Sequence, residues 1–154
     1  MNILVLDVGT SSMRGTLMNE HRAVLFRKQV KYRPTFGPGD AVEQDTEDWV
    51  HAMTEICAAA AQEESVDAVA ITAQRSSVIP ADSSMRPVAP AVMWQDARNR
   101  DTCDKRKPQE EQIRRSCGTG INTVFSGGKI AWLQEEHPEL RERTAHYFVV
   151  AEYL

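Results

Sequence analysis

Ile3, Leu4, Val5 and Leu6 form an unbroken apolar run that stops at a carboxylate, Asp7, and gives way to Val8-Gly9-Thr10-Ser11-Ser12. A short apolar run bounded by turn residues reads as a central strand buried on both faces, so the chain must build a sheet around its own first residues. Met13 to Met18 then reads as a returning strand, with Arg14, Thr16 and Met18 on one face and Met13, Gly15 and Leu17 on the other. Asn19 and Glu20 mark a turn, and Ala23 to Tyr32 supplies a third strand. The opening is a three-stranded meander. Pro34, Gly37, Pro38 and Gly39 interrupt regular structure after it.

Asp45 is an N-cap residue for a helix whose apolar positions are Trp49, Val50, Met53, Ile56, Cys57 and Ala60, ending near Glu64. Val66 to Ile71 reads as a second buried strand, followed by Gln74 and Arg75. Ser77 to Ala81 reads as another short strand, and Ala89 to Trp94, with Pro90 near its start, as a further short strand or an edge segment. Gln95 to Arg115 is dense in charge and reads as a pair of short solvated helices, broken by Gly118 and Gly120. Ser126 is placed to cap a helix that ends before Pro138, and a short helix at Glu139 to Arg143 leads into a strand at His146 to Val150. The order of three strands, helix, strands, helices and strand predicts an α/β fold with a mixed sheet.

Composition excludes several classes. The 154 residues carry 22 acidic and 18 basic side chains, a formal net charge of −4, which offers nucleic acid no basic stripe. No apolar run approaches the roughly 18 residues of a membrane span. The N-terminal run lacks a basic segment before it and a cleavage site after it, so a cytoplasmic location is the expectation. Cys57, Cys103 and Cys117 form no CxxC pair, and His21, His51, His137 and His146 show no metal-binding spacing. They read as reduced structural thiols and unligated imidazoles.

Three segments carry candidate chemistry. Asp7 to Ser12 joins a strand to its returning neighbour through one glycine, Gly9, and three hydroxyl residues, Thr10, Ser11 and Ser12. A tight turn of this kind gathers donors for phosphate oxygens, and Asp7 at the strand end is placed to hold Mg²⁺ through its waters. The same residues also suit a plain Ser/Thr-rich hairpin turn. Arg14 can reach a transferred phosphate or pair with a surface carboxylate. Gln74 and Arg75 follow the carboxyl end of a strand, where α/β sheets hold ligands; Arg75 fits either polyol hydroxyls or a salt bridge across the sheet edge. In Val92 to Arg98, Trp94 can stack on a sugar while Asp96 accepts its hydroxyl protons and Arg98 holds Asp96. A buried aromatic beside a structural ion pair is the competing account.

Taken in order, these segments resemble the N-terminal part of the FGGY family of carbohydrate kinases, relatives of glycerol kinase and xylulokinase on the ribonuclease-H-like, actin-like ATPase fold. The matching stretches are LDVGTSSMRG, VEQDTEDW at 42–49, AITAQR at 70–75, MWQDAR at 93–98, Thr119-Gly120, FSGGKIAWLQEEHPE at 125–139 and the final AEYL. The resemblance implies ATP and Mg²⁺ as cofactors. It makes Asp7 the magnesium-associated residue, with Gly9, Thr10, Ser11, Ser12 and Arg14 at the ATP phosphates. It places Gln74, Arg75, Trp94 and Asp96 at a sugar or polyol. Ser76 stands where glycerol kinase has a glutamate, Val124 where it has a tyrosine, and the xylulokinase-like Met and His after the glutamine are missing, so no particular sugar is implied. The general base and the adenosine pocket are expected beyond residue 154, in a C-terminal domain absent here, which makes residues 1–154 an incomplete N-terminal kinase domain, inactive alone. A homodimer is a further option. The rival reading is a non-catalytic domain that binds a sugar or a protein.

Overall fold

The computed structural model describes residues 1–154. In chain order its strands are β1 (Asn2–Val8), β2 (Ser12–Asn19), β3 (Val24–Lys31), β4 (Thr35–Phe36), β5 (Val42–Gln44), β6 (Ala68–Ala73), β7 (Ile79–Ala81), β8 (Ala91–Val92) and β9 (His146–Phe148). The helices are α1 (Thr46–Glu63), α2 (Arg100–Lys105), α3 (Glu110–Cys117), α4 (Ser126–Glu136), α5 (Pro138–Arg143) and α6 (Val150–Tyr153), with one 3₁₀ turn at Lys107–Gln109. These elements form two units: residues 1–34, 45–74 and 150–154, and residues 35–44 and 75–149.

The first unit is a four-stranded sheet in the order β3-β2-β1-β6. The predicted meander is present: β1 pairs antiparallel with β2 from Asn2↔Asn19 to Val8↔Met13, and β2 pairs antiparallel with β3. β6 then pairs parallel with β1, which makes the sheet mixed. Asp45 caps α1 by accepting the Glu47 N–H at 3.0 Å, and the helix buries Trp49, Ala52, Ile56 and Ala60. Gly15 lets α1 lie against β2, because a Cβ there would come within 2.1 Å of Ile56 Cγ2.

Two expectations of burial fail in this unit. Leu4, Leu6 and Val8 of β1 are buried, but Ile3 and Val5 are half-buried and Asp7 is exposed, so only one face of the strand is fully covered. β6 is exposed over Ala68, Val69, Ala70 and Thr72, with Val69 at 52%. An apolar run records what a strand can bury; whether it does so depends on the layers available. β6 is the edge of its sheet, and the helix in contact with it, α6, is four residues long.

The second unit holds an antiparallel sheet in the order β4-β5-β8 and the antiparallel pair β7-β9, accompanied by α2 to α5. Its core gathers Val78, Val92, Trp132 and Leu133, with Ile130, Leu140 and Tyr147 against them. α3 ends on Gly118, whose φ of +75° is the left-handed C-cap that glycine adopts without strain. Ser126 opens α4 rather than capping it: the N-cap is Phe125, with no side-chain bond to the helix N-terminus.

Candidate functional site

In the first unit the loop between β1 and β2 is closed by its own backbone: the Gly9 N–H donates to the Ser12 carbonyl at 2.9 Å, and the Tyr32 hydroxyl donates to the Gly9 carbonyl at 2.7 Å. A Cβ on Gly9 would lie 3.2 Å from that Ser12 oxygen. The turn therefore has room for a glycine and little more. Its side chains divide by exposure. Ser12 is buried and its Oγ accepts from Gln29 Nε2 at 2.8 Å, whereas Ser11, Asp7 and Arg14 are exposed. Asp7 and Arg14 face each other in the β1–β2 register, with Arg14 Nη1 3.8 Å from Asp7 Oδ2. The side chains stay 54% and 62% exposed, so this contact contributes little on its own.

Gln74 follows β6 and is tied to the same loop. Its N–H donates to the Val8 carbonyl at 2.8 Å, and its Oε1 accepts from the Thr10 hydroxyl at 3.1 Å. Its amide Nε2 is buried with no acceptor. An unpaired buried donor costs about 1–3 kcal/mol, so this nitrogen marks a place where an acceptor is wanted. The structure thus brings Asp7, Gly9, Thr10, Ser11, Ser12, Arg14 and Gln74 together in one unit.

Arg75, Trp94 and Asp96 belong to the second unit. Arg75 is exposed and precedes Ser76, a non-glycine residue at φ +68°; backbone held in that region costs of order 1–3 kcal/mol and gathers at functional sites. Trp94 is 37% exposed, and its N–H donates to the buried Ser77 hydroxyl at 3.1 Å. Asp96 is 1% exposed. Its carboxylate accepts from the Val42 N–H at 2.9 Å, the Arg98 N–H at 3.0 Å and Arg98 Nε at 2.9 Å. Arg98 also bonds Glu43 at 2.7 Å and lies over the Trp132 ring, 4.8 Å from its centre. Burial opposes the Arg98 charge, but the bonds from Asp96 and Glu43 outweigh it and hold the guanidinium above its ordinary pKa. Both accounts of this segment thus find a residue: Asp96 sits in an internal ion pair, while Trp94 reaches the surface.

Sequence reasoning passed over two participants. Glu43 and Lys129 both lie in stretches read for their resemblance, with no role given to either. Lys129 is fully buried and donates to the carbonyls of Asp96 at 2.6 Å and Thr123 at 2.7 Å. The available signal was a lysine sitting between Gly128 and Ile130 on the face of a helix that carries Trp132 and Leu133.

The residues of the first loop fit a phosphate-bearing ligand with magnesium. The chain has no group of three His, Cys, Asp or Glu side chains able to cage a metal ion, and an isolated exposed carboxylate suits an ion held largely by phosphate oxygens and water. No helix is long and apolar enough to cross a membrane.

The chain is similar to glycerol kinase from Brucella ovis, 36% identical over 149 residues, and to glycerol kinase from Chromobacterium violaceum, 32% identical over 149 residues. These alignments cover 92% of the chain and 30% of each relative, so the chain spans under a third of their length. Among solved structures it superposes on the xylulose kinase of Rhodospirillum rubrum with a TM-score of 0.93 at 16% identity, covering 99% of this chain and 33% of that one. The glycerol kinase of Plasmodium falciparum with ADP gives 0.89 at 21%, with the same coverage. At these identities the likeness establishes the fold, that of the sugar kinases expected from the motifs. The model of the N-terminal domain of the FGGY carbohydrate kinases matches residues 2–154, and the chain belongs to that family.

Proposed function

We propose that this chain is the part of an ATP-dependent sugar or polyol kinase that holds the phosphates and one side of the sugar. The observation that carries the reading is the β1–β2 loop: a closed turn with an exposed carboxylate, hydroxyl and guanidinium, joined through Thr10 to Gln74, whose Nε2 is buried and unpaired. Mg·ATP, when bound, supplies the phosphoryl group and much of the charge neutralisation. Asp7 orients the hydrated ion, Thr10, Ser11 and the loop backbone bind phosphate oxygens, and Arg14 offsets the negative charge that spreads over the transferred group. Gly9 lets the turn close on the Ser12 carbonyl, and Ser12 is anchored through Gln29.

In the first unit Gln74 is the proposed sugar-facing donor; in the second, Arg75 is a proposed hydroxyl donor and Trp94 offers its ring to a carbon face. Asp96 takes a different role from the hydroxyl acceptor expected of it. With its carboxylate occupied by Val42 and Arg98, it sets the position of the Trp94 loop. The general base and adenosine pocket are assigned to the remaining length that the relatives possess, so the 154-residue chain alone gives little turnover. Glycerol heads the substrate panel because the named relatives are glycerol kinases. Ser76 and Val124 widen the panel to larger polyols and pentoses.

Calorimetry with glycerol, pentoses, hexoses and Mg·ATP tests the reading. A kinase part binds a sugar and shows Mg²⁺-dependent nucleotide binding that Asp7→Ala abolishes. Sugar binding with no response to nucleotide, in the chain and in the full-length protein carrying it, would establish the non-catalytic module instead.

A further inference from the structure

We propose that Lys129 is a positioning residue for the sugar-facing loop from Trp94 to Arg98, a role that rests on the kinase reading above. Long ammonium side chains normally run along an apolar surface and leave the charge in water. Lys129 does the opposite: it is 0% exposed, among the largest fully buried side chains of the chain. Filling that volume alone would be served better by methionine or leucine, since a buried charge carries a desolvation cost that only good hydrogen bonds offset. The bonds are there. The ammonium donates to the main-chain carbonyl of Asp96 at 2.6 Å and to that of Thr123 at 2.7 Å, joining the loop after β8 to the loop before α4. Asn99 Nδ2 reaches the same Thr123 oxygen at 3.3 Å.

Asp96 is consequently gripped twice. Its carboxylate is held by the Val42 N–H and by Arg98, which Glu43 anchors in turn, and its carbonyl is held by Lys129. The charged and titratable groups facing Lys129 are Asp96 and Arg98 from the loop and Cys103 from α2. With Glu43 the cluster contains two carboxylates and two cations, so its formal charges balance. Burial draws the Lys129 pKa down to about 8 against the opposing pull of Asp96. A neutral amine still has the two N–H groups these carbonyls need. The grip is therefore geometric first and ionic second.

Gly128 makes the reach possible. A Cβ at that position would lie 2.7 Å from Cys103 Sγ and 2.9 Å from Asn99 Nδ2, so only glycine lets α4 approach α2 and the Asn99 side chain this closely. Trp94 stands two residues before Asp96 and is exposed; its placement is set by this double hold together with the bond to Ser77.

Amide hydrogen exchange and calorimetry on the full-length protein carrying this chain, with Lys129→Met and Gly128→Ala, test the assignment. Lys129→Met should speed exchange at the Val42 and Arg98 amides at least tenfold while leaving the β1–β2 amides unchanged. Affinity for whichever sugar the wild type binds should fall about tenfold, with Mg·ATP affinity unaltered. Gly128→Ala keeps the lysine, should move the same readouts in the same direction, and decides the matter if Lys129→Met does not fold. Wild-type exchange at Val42 and Arg98 in a folded Lys129→Met protein overturns the proposal, as does faster exchange with unchanged sugar affinity. If the wild type binds no sugar on the panel, the kinase reading falls while the exchange data still decide what Lys129 holds.

Discussion

The strand ends flanking the β1–β2 loop and the loop after β8 each bring an aspartate and an arginine together, yet they use them in opposite ways. Asp7 and Arg14 are exposed and 3.8 Å apart. Asp96 is buried, bonded to Arg98 at 2.7 Å, and tied further to Val42. The first loop keeps its polar groups available at its surface and leaves an amide nitrogen of Gln74 unpaired. In the second, the polar groups of Asp96, Arg98 and Lys129 are turned onto one another. On the proposed reading one loop receives a ligand, and the other is a mount for the single side chain it exposes, Trp94. An aspartate and an arginine brought face to face do not distinguish the two; burial and partner count do.

The same substitution in both loops breaks the comparison most directly. Asp96→Ala removes one partner of a buried pair and should cost about 3–5 kcal/mol in urea unfolding, whereas Asp7→Ala should stay within about 0.5 kcal/mol. Equal costs would remove the distinction between mount and ligand loop. Next in size, Arg98→Lys loses the fork that spans Asp96 and Glu43 and should destabilise by about 1.5–3 kcal/mol, while Arg14→Lys should leave the unfolding midpoint unchanged. Gln74→Ala removes an unpaired buried donor along with one bond to Thr10. Its stability effect should be under about 1 kcal/mol, with sugar affinity by calorimetry falling about tenfold.

A further expected effect is a pH dependence. The Lys129 pKa lies near 10.5 in the unfolded chain and about 8 in the folded one, so between those values the unfolded state binds more protons and stability rises with pH. Below about pH 8 both states are protonated and the difference is constant. The unfolding free energy of wild type minus that of Lys129→Met should therefore increase from pH 8 to 10. A flat or falling difference would mean the ammonium is not desolvated as described.

Much of the fold was legible because local chemistry dictates it. Asp45 and the Trp49, Ile56, Ala60 spacing located α1 to within a residue at each end, and the alternation in Met13 to Met18 put Met13, Gly15 and Leu17 on the buried face. Burial of β6 was not legible. Ala68 to Ile71 is apolar enough for a core strand, and exposure follows from its edge position, which no local pattern encodes. The Phe125 cap was missed because Ser126 has the better capping chemistry on paper. At the site, residue types left the β1–β2 loop open between a phosphate-binding turn and a plain hairpin turn, and the phosphate reading is a proposal. The Asp96–Arg98 pair was among the readings of its segment, but Glu43 and Lys129 were not, since their links to Arg98 and to the Asp96 carbonyl join distant positions that only the fold brings together.

The central claim is that the exposed loop serves phosphoryl transfer to a sugar or polyol. Sugar-dependent ADP formation by the full-length protein carrying this chain, compared with its Asp7→Ala variant, tests it most directly. The account predicts turnover with at least one member of the glycerol, polyol and pentose panel, reduced about 10²–10³-fold by Asp7→Ala with the unfolding midpoint preserved. Turnover that Asp7→Ala leaves intact, or no turnover with any member of the panel, would contradict it.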